Sequence, residues 1–301
     1  MVSAQTLKQV ESAYATWNAS KGATAQPWFD LMADSVSWRS IADGAKHMEF
    51  TRPYSTKEQV QEYFEELAKS WQMIFYLVRI ILVQDDTVAA VGECCWQHRA
   101  TGKIVHSPKL DVMHFSSDKI TGFFEYFDSE QAILAGSEGP DASNSPVPKA
   151  LYPASGARVV QGISDASRLN VQLLKLLYGQ WGSSKGGSSA KFMNILAPQV
   201  SWGSLANGAD AIAFTNRRMS REEVEAYFQG LAEVFEMKYY KVREFVVAGN
   251  YVLMDGSCSF THRRTGKTFE TPKADFWSFS NGKAIEFFEY YDTAAVLSTT
   301  R

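Results

Sequence analysis

One amphipathic segment of the chain, residues 56–71, carries its apolar side chains at the spacing of an α-helix. These side chains are Val60, Tyr63, Phe64, Leu67, Ala68 and Trp71. Positions three and four apart lie on one face of a helix, and an apolar face of this kind packs on a core. Thr56 and Gln59 have the spacing of a capping box. The segment therefore predicts an amphipathic helix that starts next to Thr56.

The elements around this helix follow from the same kind of pattern. Helical spacing predicts a helix over 6–20 and a short helix near 26–33, and "SVSW" predicts a short strand. After the amphipathic helix, strands are predicted over about 74–84, 87–98, 104–116 and 119–127. Helices followed by a meandering antiparallel sheet indicate an α+β fold. A strongly curved sheet wrapped round helices would leave an open cone, and we expect a pocket at its mouth.

The whole pattern occurs twice, at a constant shift of 164 residues. Of the 31 residues in 98–128, 16 equal their partners in 262–292. Such identity in one continuous register indicates a tandem duplication. The segment between the copies is rich in Pro, Gly, Ser and Ala and lacks periodicity, which is typical of a linker. We expect a first domain over 1–136, a linker over 137–164 and a second domain over 165–301.

Composition narrows the class of protein. The chain has 301 residues, a formal net charge of −3 and 45% apolar residues, as expected for two globular domains. Neither a nucleic acid nor a membrane is expected as a partner. The three cysteines, an odd number, and the absence of a signal-peptide pattern favour a cytoplasmic location. The sequence has no zinc-type spacing, phosphate-binding glycine loop or nucleophile elbow, so neither a cofactor nor a metal is expected.

Acidic residues stand in very apolar surroundings in both copies. Glu125 lies in "FFEYFD" and Glu289 in its near-copy "FFEYYD". Alternation along a strand places Glu125 on one face with Phe123 and Phe127, and the neighbouring strand carries Asp111. In the second copy Glu289 and Asp275 hold the corresponding positions. If both faces point into the cone, each pocket holds two carboxylates within an aromatic lining.

Such a pair of acids suits proton transfer. A carboxylate removed from water favours its neutral form, and paired acids with separated pKa values serve as proton donor and acceptor near neutral pH. The candidate catalytic acids are Asp111, Glu125, Asp275 and Glu289. Lys109 and Lys273, two residues before the aspartates, would oppose this effect by holding those aspartates ionised. In a purely structural alternative, the glutamates pair with Arg79 and Arg243.

Histidines and aromatic residues supply further candidates. His98 and His262 end a strand beside the "TGK" turn, where they either transfer protons or orient the hairpin. The candidate ligand-binding residues, each with core packing as its alternative, are Tyr14, Trp38, Trp96, Phe123, Tyr178, Trp202, Trp277 and Phe287. Cys94 and Cys258 are predicted to be buried small hydrophobes.

The closing strands carry a family resemblance. "SPKLDVMHF" with "DKITGFFEYFD", and "TGKTFETPKADFWSFSNGKAIEFFEYYDTA" in the second copy, resemble SnoaL-like proteins. These belong to the superfamily of ketosteroid isomerase, limonene epoxide hydrolase and nuclear transport factor two. The resemblance covers about 125 residues of each copy. It implies two tandem cone-shaped domains of cystatin-like or NTF2-like fold, each with N-terminal helices packed on a curved antiparallel sheet.

The resemblance carries over to individual residues only in part. Glu125 falls where limonene epoxide hydrolase has the aspartate that activates water, and Asp111 falls where ketosteroid isomerase has its oxyanion-hole aspartic acid. The hydrolase arginine and second aspartate would fall near Gly92 and Cys94, and the isomerase base at Ser40 or one residue earlier. The second copy has the same gaps. Neither named activity therefore transfers as written.

Two functions from different classes fit these observations. The first is a cofactor-free acid–base enzyme of isomerase, cyclase, dehydratase or epoxide hydrolase type. It would act on a small hydrophobic molecule such as a polyketide, terpenoid or steroid-like compound. The second is a non-catalytic module that binds a small ligand or a protein. Apolar residues on the outer sheet face, such as Leu110 and Val112, further predict that the copies meet sheet to sheet as an intramolecular pseudo-dimer, with a homo-oligomer as another way to cover that face.

Overall fold

The computed structural model describes residues 1–139, 147–150 and 156–301. The chain divides into two compact units, Met1–Val160 and Gln161–Arg301. Of the linker expected over 137–164, residues 140–146 and 151–155 lie outside the described residues. Within the described ranges, no helix combines the length and apolar character that crossing a membrane requires.

The first unit has two helices, a strand pair, a third helix and a run of long strands. In chain order its elements are α1 (Ala4–Ala19), α2 (Gln26–Leu31), β1 (Met32–Ser40), β2 (Tyr54–Thr56), α3 (Lys57–Ser70), β3 (Trp71–Gln84), β4 (Thr87–His98), β5 (Ile104–Ser116), β6 (Lys119–Tyr126), α4 (Ser129–Gly136) and β7 (Arg158–Gln161). The strands form one sheet in the order β2-β1-β6-β5-β4-β3-β7. Helix α1 packs against α2 and β3, and α3 packs against β1, β2 and β3.

The second unit repeats this order. Its elements are α5 (Asp165–Ser183), α6 (Ser189–Met193), β8 (Leu196–Ser204), β9 (Arg218–Ser220), α7 (Arg221–Val234), β10 (Phe235–Ala248), β11 (Tyr251–His262), β12 (Thr268–Ser280), β13 (Lys283–Tyr291) and α8 (Thr293–Ser298). The sheet order is β10-β11-β12-β13-β8-β9. Each unit therefore has helices packed on a single sheet, and the predicted α+β fold is confirmed.

The sheets differ from the prediction in one respect. They were expected to be antiparallel, but β1 runs parallel to β6 and β8 runs parallel to β13, so both sheets are mixed. A parallel pair needs a long crossover rather than a tight hairpin. Helix α3 and the four strands β2 to β5 lie between β1 and β6 in the chain and provide that connection.

The amphipathic helix begins as its sequence predicts. Thr56 is the N-cap of α3, and its side chain accepts a hydrogen bond from the Gln59 backbone N–H at 3.3 Å. The reciprocal bond of a capping box is shifted by one residue, because the Gln59 side chain accepts from the N–H of Ser55. Val60, Tyr63 and Leu67 are the buried residues of this helix. The cap therefore marks the start of α3, and the apolar spacing sets its buried face.

Bulges bend the long strands over which the helices lie. The β3–β4 ladder changes register between Met73 and Phe75 and again between Val78 and Ile80, and such bulges bend the strand that carries them. Gly92 lies opposite the second bulge, where a Cβ atom would stand 2.0 Å from the carbonyl oxygen of Leu77. Only glycine fits there without movement of the backbone.

Candidate active site

A buried lysine joins two carboxylates in the first unit. Asp111 on β5 lies directly opposite Glu125 on β6 in the antiparallel ladder, where two like charges repel each other. The Lys109 Nζ atom lies 2.6 Å from Asp111 Oδ1 and 2.6 Å from Glu125 Oε2. All three residues are at most 5% exposed. They form a buried triad of one ammonium and two carboxylates.

Three tyrosine hydroxyls surround this triad. Tyr14 on α1 donates to Asp111 Oδ2 at 2.8 Å, and Tyr76 on β3 donates to the same oxygen. Tyr63 on α3 donates to Glu125 Oε1 at 2.9 Å. Asp111 therefore accepts three hydrogen bonds and Glu125 accepts two. The donors come from a helix before the sheet, the amphipathic helix and two strands, so the site depends on the whole unit.

The second unit contains the same six residue types in the same arrangement. They are Tyr178, Tyr227, Tyr240, Lys273, Asp275 and Glu289. The Lys273 Nζ atom lies 2.5 Å from Asp275 Oδ1 and 2.8 Å from Glu289 Oε2. The three hydroxyls donate to the carboxylates at 2.5–3.0 Å. Each unit thus holds its own complete hydrogen-bonded set.

Charge and burial fix the protonation of the donors. Burial acts to lower the pKa of the Lys109 ammonium, but the negative charges of Asp111 and Glu125 outweigh burial and raise this pKa. Burial, and then the charge of Asp111, raise the pKa of the Tyr14 hydroxyl well above its usual value. The same causes act on Tyr76, and burial together with Glu125 acts on Tyr63. At neutral pH the lysine is therefore charged and the tyrosines are neutral hydrogen-bond donors.

Each set lies in the wall of an aromatic cavity. The cavity of the first unit measures about 90 Å³ and that of the second about 80 Å³. The tryptophans that line the first cavity are Trp17, Trp28, Trp38, Trp71 and Trp96. Those that line the second are Trp181, Trp202 and Trp277. The chain has eight tryptophans, so every one of them borders a cavity.

Comparison with known protein families identifies the second unit. Residues 184–287 match the family model described as SnoaL-like domain. The matched stretch lies within the second unit, which is therefore similar to SnoaL-like domains over these residues. The first unit repeats the sequence, the order of elements and the buried polar set of the second.

Solved structures similar to this chain each match slightly less than half of it. An NTF2-like protein from Burkholderia xenovorans LB400 is 23% identical, with 46% of this chain and 100% of that chain covered and a TM-score of 0.38. An NTF2-like protein from Burkholderia thailandensis E264 is 25% identical, with coverages of 44% and 97% and a TM-score of 0.38. A protein of ketosteroid isomerase-like fold from Catenulispora acidiphila DSM 44928, in complex with trimethylamine, is 13% identical, with coverages of 43% and 92% and a TM-score of 0.35. No curated protein matches the chain.

The predicted carboxylates and aromatic residues of both units come together. The four acids border the cavities, two in each. The eight predicted ligand-binding residues also border them: Tyr14, Trp38, Trp96 and Phe123 in the first domain, and Tyr178, Trp202, Trp277 and Phe287 in the second. The glutamates pair with lysines rather than with arginines, since Arg243 Nε donates to Asp255 instead, at 2.6 Å. Contact of these residues with a ligand stays a prediction.

The two histidines belong to the hairpin turns. The His98 Nδ1 atom lies 3.1 Å from Thr101 Oγ1, and the Thr101 hydroxyl donates to the carbonyl oxygen of Ala135. The His262 Nδ1 atom lies 2.9 Å from Thr265 Oγ1 in the same way. Among the described residues that border the cavities, neither histidine is present. The geometry therefore favours the hairpin-orienting alternative over proton transfer.

The cysteines are buried thiols. Cys94, Cys95 and Cys258 are all free and buried, which confirms the expectation for Cys94 and Cys258. Burial, only partly opposed by the nearby lysines, raises the pKa of both Cys94 and Cys258 to about 12. Thiols of this kind are poor nucleophiles near neutral pH.

Sequence reasoning missed two tyrosines of each set. Tyr63 had the spacing of an ordinary core residue on α3, and Tyr76 lies between two bulges where simple alternation fails. One signal was present in the sequence, because both tyrosines recur as Tyr227 and Tyr240 in the second copy. Purely apolar positions such as Val60 recur as well, so repetition alone does not separate polar function from packing.

Proposed function

We propose that each domain is a cofactor-free acid–base catalyst that transfers a proton within a small hydrophobic molecule. The observation that carries this proposal is the buried lysine between two carboxylates, with three tyrosine hydroxyls, in the wall of an aromatic cavity. Isomerisation, cyclisation, dehydration and epoxide opening all use such an apparatus of proton acceptor and hydrogen-bond donors in a dry site.

Glu125 is the proposed proton acceptor of the first domain, and Glu289 that of the second. A proton added to Glu125 displaces fewer donors than one added to Asp111, because Glu125 accepts two hydrogen bonds and Asp111 accepts three. Asp111 instead holds the ammonium in place. Lys109 has three N–H donors, of which two point at the carboxylates. The third would stabilise negative charge that develops on a substrate oxygen.

The size of the cavities limits the substrate. Sites for drug-sized ligands usually measure about 300–1,000 Å³, whereas these cavities measure about 80–90 Å³. A molecule of a few non-hydrogen atoms fits as the cavities stand. A terpenoid or steroid-like substrate would require the aromatic side chains to move apart. The best-supported substrate is therefore a small carbonyl compound with a weakly acidic C–H bond.

Exchange of carbon-bound hydrogen tests this function without knowledge of the natural substrate. Butanone is incubated with the full chain in deuterium oxide, and loss of its α-hydrogens is followed by proton NMR. Active domains should accelerate the exchange over buffer. Glu125→Gln together with Glu289→Gln should remove the acceleration, by about 10²–10⁴-fold for loss of a general base.

Matched variants show what each domain contributes. Glu125→Gln or Glu289→Gln alone leaves one intact site. The exchange rate that each single variant retains should therefore equal the contribution of its unaltered domain. Glu65→Gln, at an exposed position on α3, controls for unspecific effects of losing a carboxylate. Exchange that persists in the double variant would rule out the glutamates as the base.

A non-catalytic binding module is the second candidate. It is favoured by one observation: every carboxylate oxygen of the buried set already accepts a hydrogen bond from a lysine or a tyrosine, which weakens it as a base. A module of this class would change its tryptophan fluorescence on binding butanone and would leave the exchange rate at the level of buffer.

A further inference from the structure

The two cavities share the lysine, two carboxylates and three tyrosines of the buried set but differ in some of their other residues. Val105 of the first cavity corresponds to Phe269 of the second. Trp277 on β12 borders the second cavity, whereas its counterpart Met113 on β5 is not among the described residues that border the first. Three tryptophans of the first cavity are phenylalanines in the second: Trp28, Trp71 and Trp96 correspond to Phe192, Phe235 and Phe260. The cavity volumes nevertheless stay close, at about 90 and 80 Å³. Larger side chains at some positions of the second cavity thus offset smaller ones at others.

One of these exchanges changes the hydrogen bonding of the site. In the second domain, the Trp277 indole Nε1–H donates to the hydroxyl oxygen of Tyr178 at 2.9 Å. Tyr178 donates its own hydrogen to Asp275, so its hydroxyl both donates and accepts. Met113 has no N–H to donate. The Tyr14 hydroxyl donates to Asp111, and no donor among the described residues reaches its oxygen.

A second difference points the same way. In the second domain, the hydroxyls of Tyr291 and Ser204 lie 2.7 Å apart and satisfy each other. The corresponding residues of the first domain are Phe127 and Ser40. The Ser40 hydroxyl is buried and has no hydrogen-bond partner among the described residues. Buried polar groups normally have a partner, so the first domain holds unused hydrogen-bonding capacity that the second has filled from within.

We propose that Met113 and Trp277 give the two cavities different ligand preferences. The first cavity selects small molecules that carry an O–H or N–H group, which the free oxygen of Tyr14 accepts. In the second cavity the indole of Trp277 takes that place, so a ligand donor finds no acceptor at Tyr178. Tyr63 and Tyr76 have counterparts in the second cavity and do not contribute to the difference. Tyr291, which has no tyrosine counterpart in the first cavity, is already paired with Ser204. This inference rests on the proposed function only in that both cavities admit a small organic molecule.

Two small probes of the same shape separate donor recognition from size. 2-Propanol and acetone have the same carbon and oxygen skeleton, but only 2-propanol carries an O–H donor. Because all eight tryptophans border one cavity or the other, assigned indole ¹⁵N–¹H signals of the full chain report which cavity a probe enters. Each probe is titrated into the wild-type chain, and an apparent Kd is obtained for each cavity.

The first cavity should bind 2-propanol about three- to tenfold more tightly than acetone, which is what one net hydrogen bond supplies. The second cavity should show a smaller ratio. Trp277→Met should raise the ratio of the second cavity, and Met113→Trp should lower that of the first. Tyr14→Phe removes the accepting oxygen without filling the cavity, and it provides the same test if Met113→Trp overpacks the site.

The possible results distinguish this inference from the proposed function. Equal ratios in the two wild-type cavities, or ratios that the exchanges and Tyr14→Phe do not move, would overturn the role of Met113 and Trp277 while the cavities remain binding sites. Indole signals that respond to neither probe would show that the cavities admit no small molecule, and would overturn the proposed function together with this inference.

Discussion

Replacement of Lys109 by methionine would test the buried triad directly. Methionine fills a similar volume and has no charge, so the variant mainly removes the ammonium that stands 2.6 Å from both Asp111 and Glu125. The two carboxylates would remain opposite each other in the ladder with no cation between them. Only the tyrosine hydroxyls would still stabilise them.

The expected loss of stability is large. Removal of one partner from a buried ion pair costs about 3–5 kcal/mol, because the remaining charge is left uncompensated. The lysine and its two carboxylates are almost completely buried, so solvent screening reduces this figure little. A change of 1 kcal/mol shifts the Tm of a unit of this size by about 2–4 °C. The melting transition of the altered unit should therefore fall by about 6–20 °C.

Calorimetry over a range of pH gives the sign of the effect. The carboxylates raise the pKa of Lys109, so the stability that this lysine contributes is fully present below its unfolded pKa of about 10.4 and is lost only as the pH rises through the folded pKa. In Lys109→Met, two uncompensated carboxylates share one site, and acidification relieves them by protonation. The Tm deficit relative to the wild-type chain should thus be larger at pH 8 than at pH 5.

Two further variants complete the experiment. Lys8→Met, on the exposed face of α1, should change the Tm only slightly, since surface substitutions stay within about 0.5 kcal/mol. Addition of Asp111→Asn and Glu125→Gln to Lys109→Met removes the remaining charges and should recover part of the loss. A deficit below about 2 °C, or one that is the same at pH 5 and pH 8, would refute the reasoning that the lysine neutralises a buried pair of acids.

Two other predictions concern the backbone and the thiols. Gly92→Ala would place a Cβ 2.0 Å from the Leu77 carbonyl oxygen and should lower the stability by at least about 1–3 kcal/mol, measured by urea unfolding. Gly179→Ala, on a helix with open space around the added Cβ, should instead raise the stability by up to about 1 kcal/mol. Cys94, whose pKa burial raises to about 12, should resist iodoacetamide at pH 8 in the folded chain and react on unfolding; rapid labelling of the folded chain would contradict its burial.

The sequence was sufficient to predict the main architecture and half of the polar site. Strand alternation assigned Asp111 and Glu125 to strand faces that would share a pocket if both pointed into the cone, and the observed register pairs the two residues. Alternation is reliable there because the β5–β6 ladder is regular from Leu110 to His114. The predicted strands also agree with β3–β6 to within about three residues at each end. Local patterns of this kind depend only on neighbouring residues.

The rest of the site depends on distances that no local pattern encodes. Tyr63 reaches Glu125 from a helix 62 positions earlier in the chain, and that contact requires α3 to be docked on the sheet. The lysine was expected to act on the aspartate of its own strand, but it also reaches the glutamate of the next one. The partners of a buried charge thus follow from tertiary packing, and for this reason the sequence left both a catalytic and a structural role open.

The retention of this polar set in both copies is hard to explain by stability alone. Replacement of a complete buried ion pair by well-packed apolar residues is often neutral or stabilising. The apolar walls of the two cavities do differ, as at Val105 and Phe269. Removal of any single member is costly, however, because it leaves a buried charge without a partner. The cost of losing any one member would therefore preserve the set even if it had no function. Simultaneous replacement of Lys109, Asp111 and Glu125 by apolar residues separates preservation for catalysis from preservation by the cost of single losses. If the altered domain becomes more stable but no longer catalyses proton exchange, the set was retained for its chemistry.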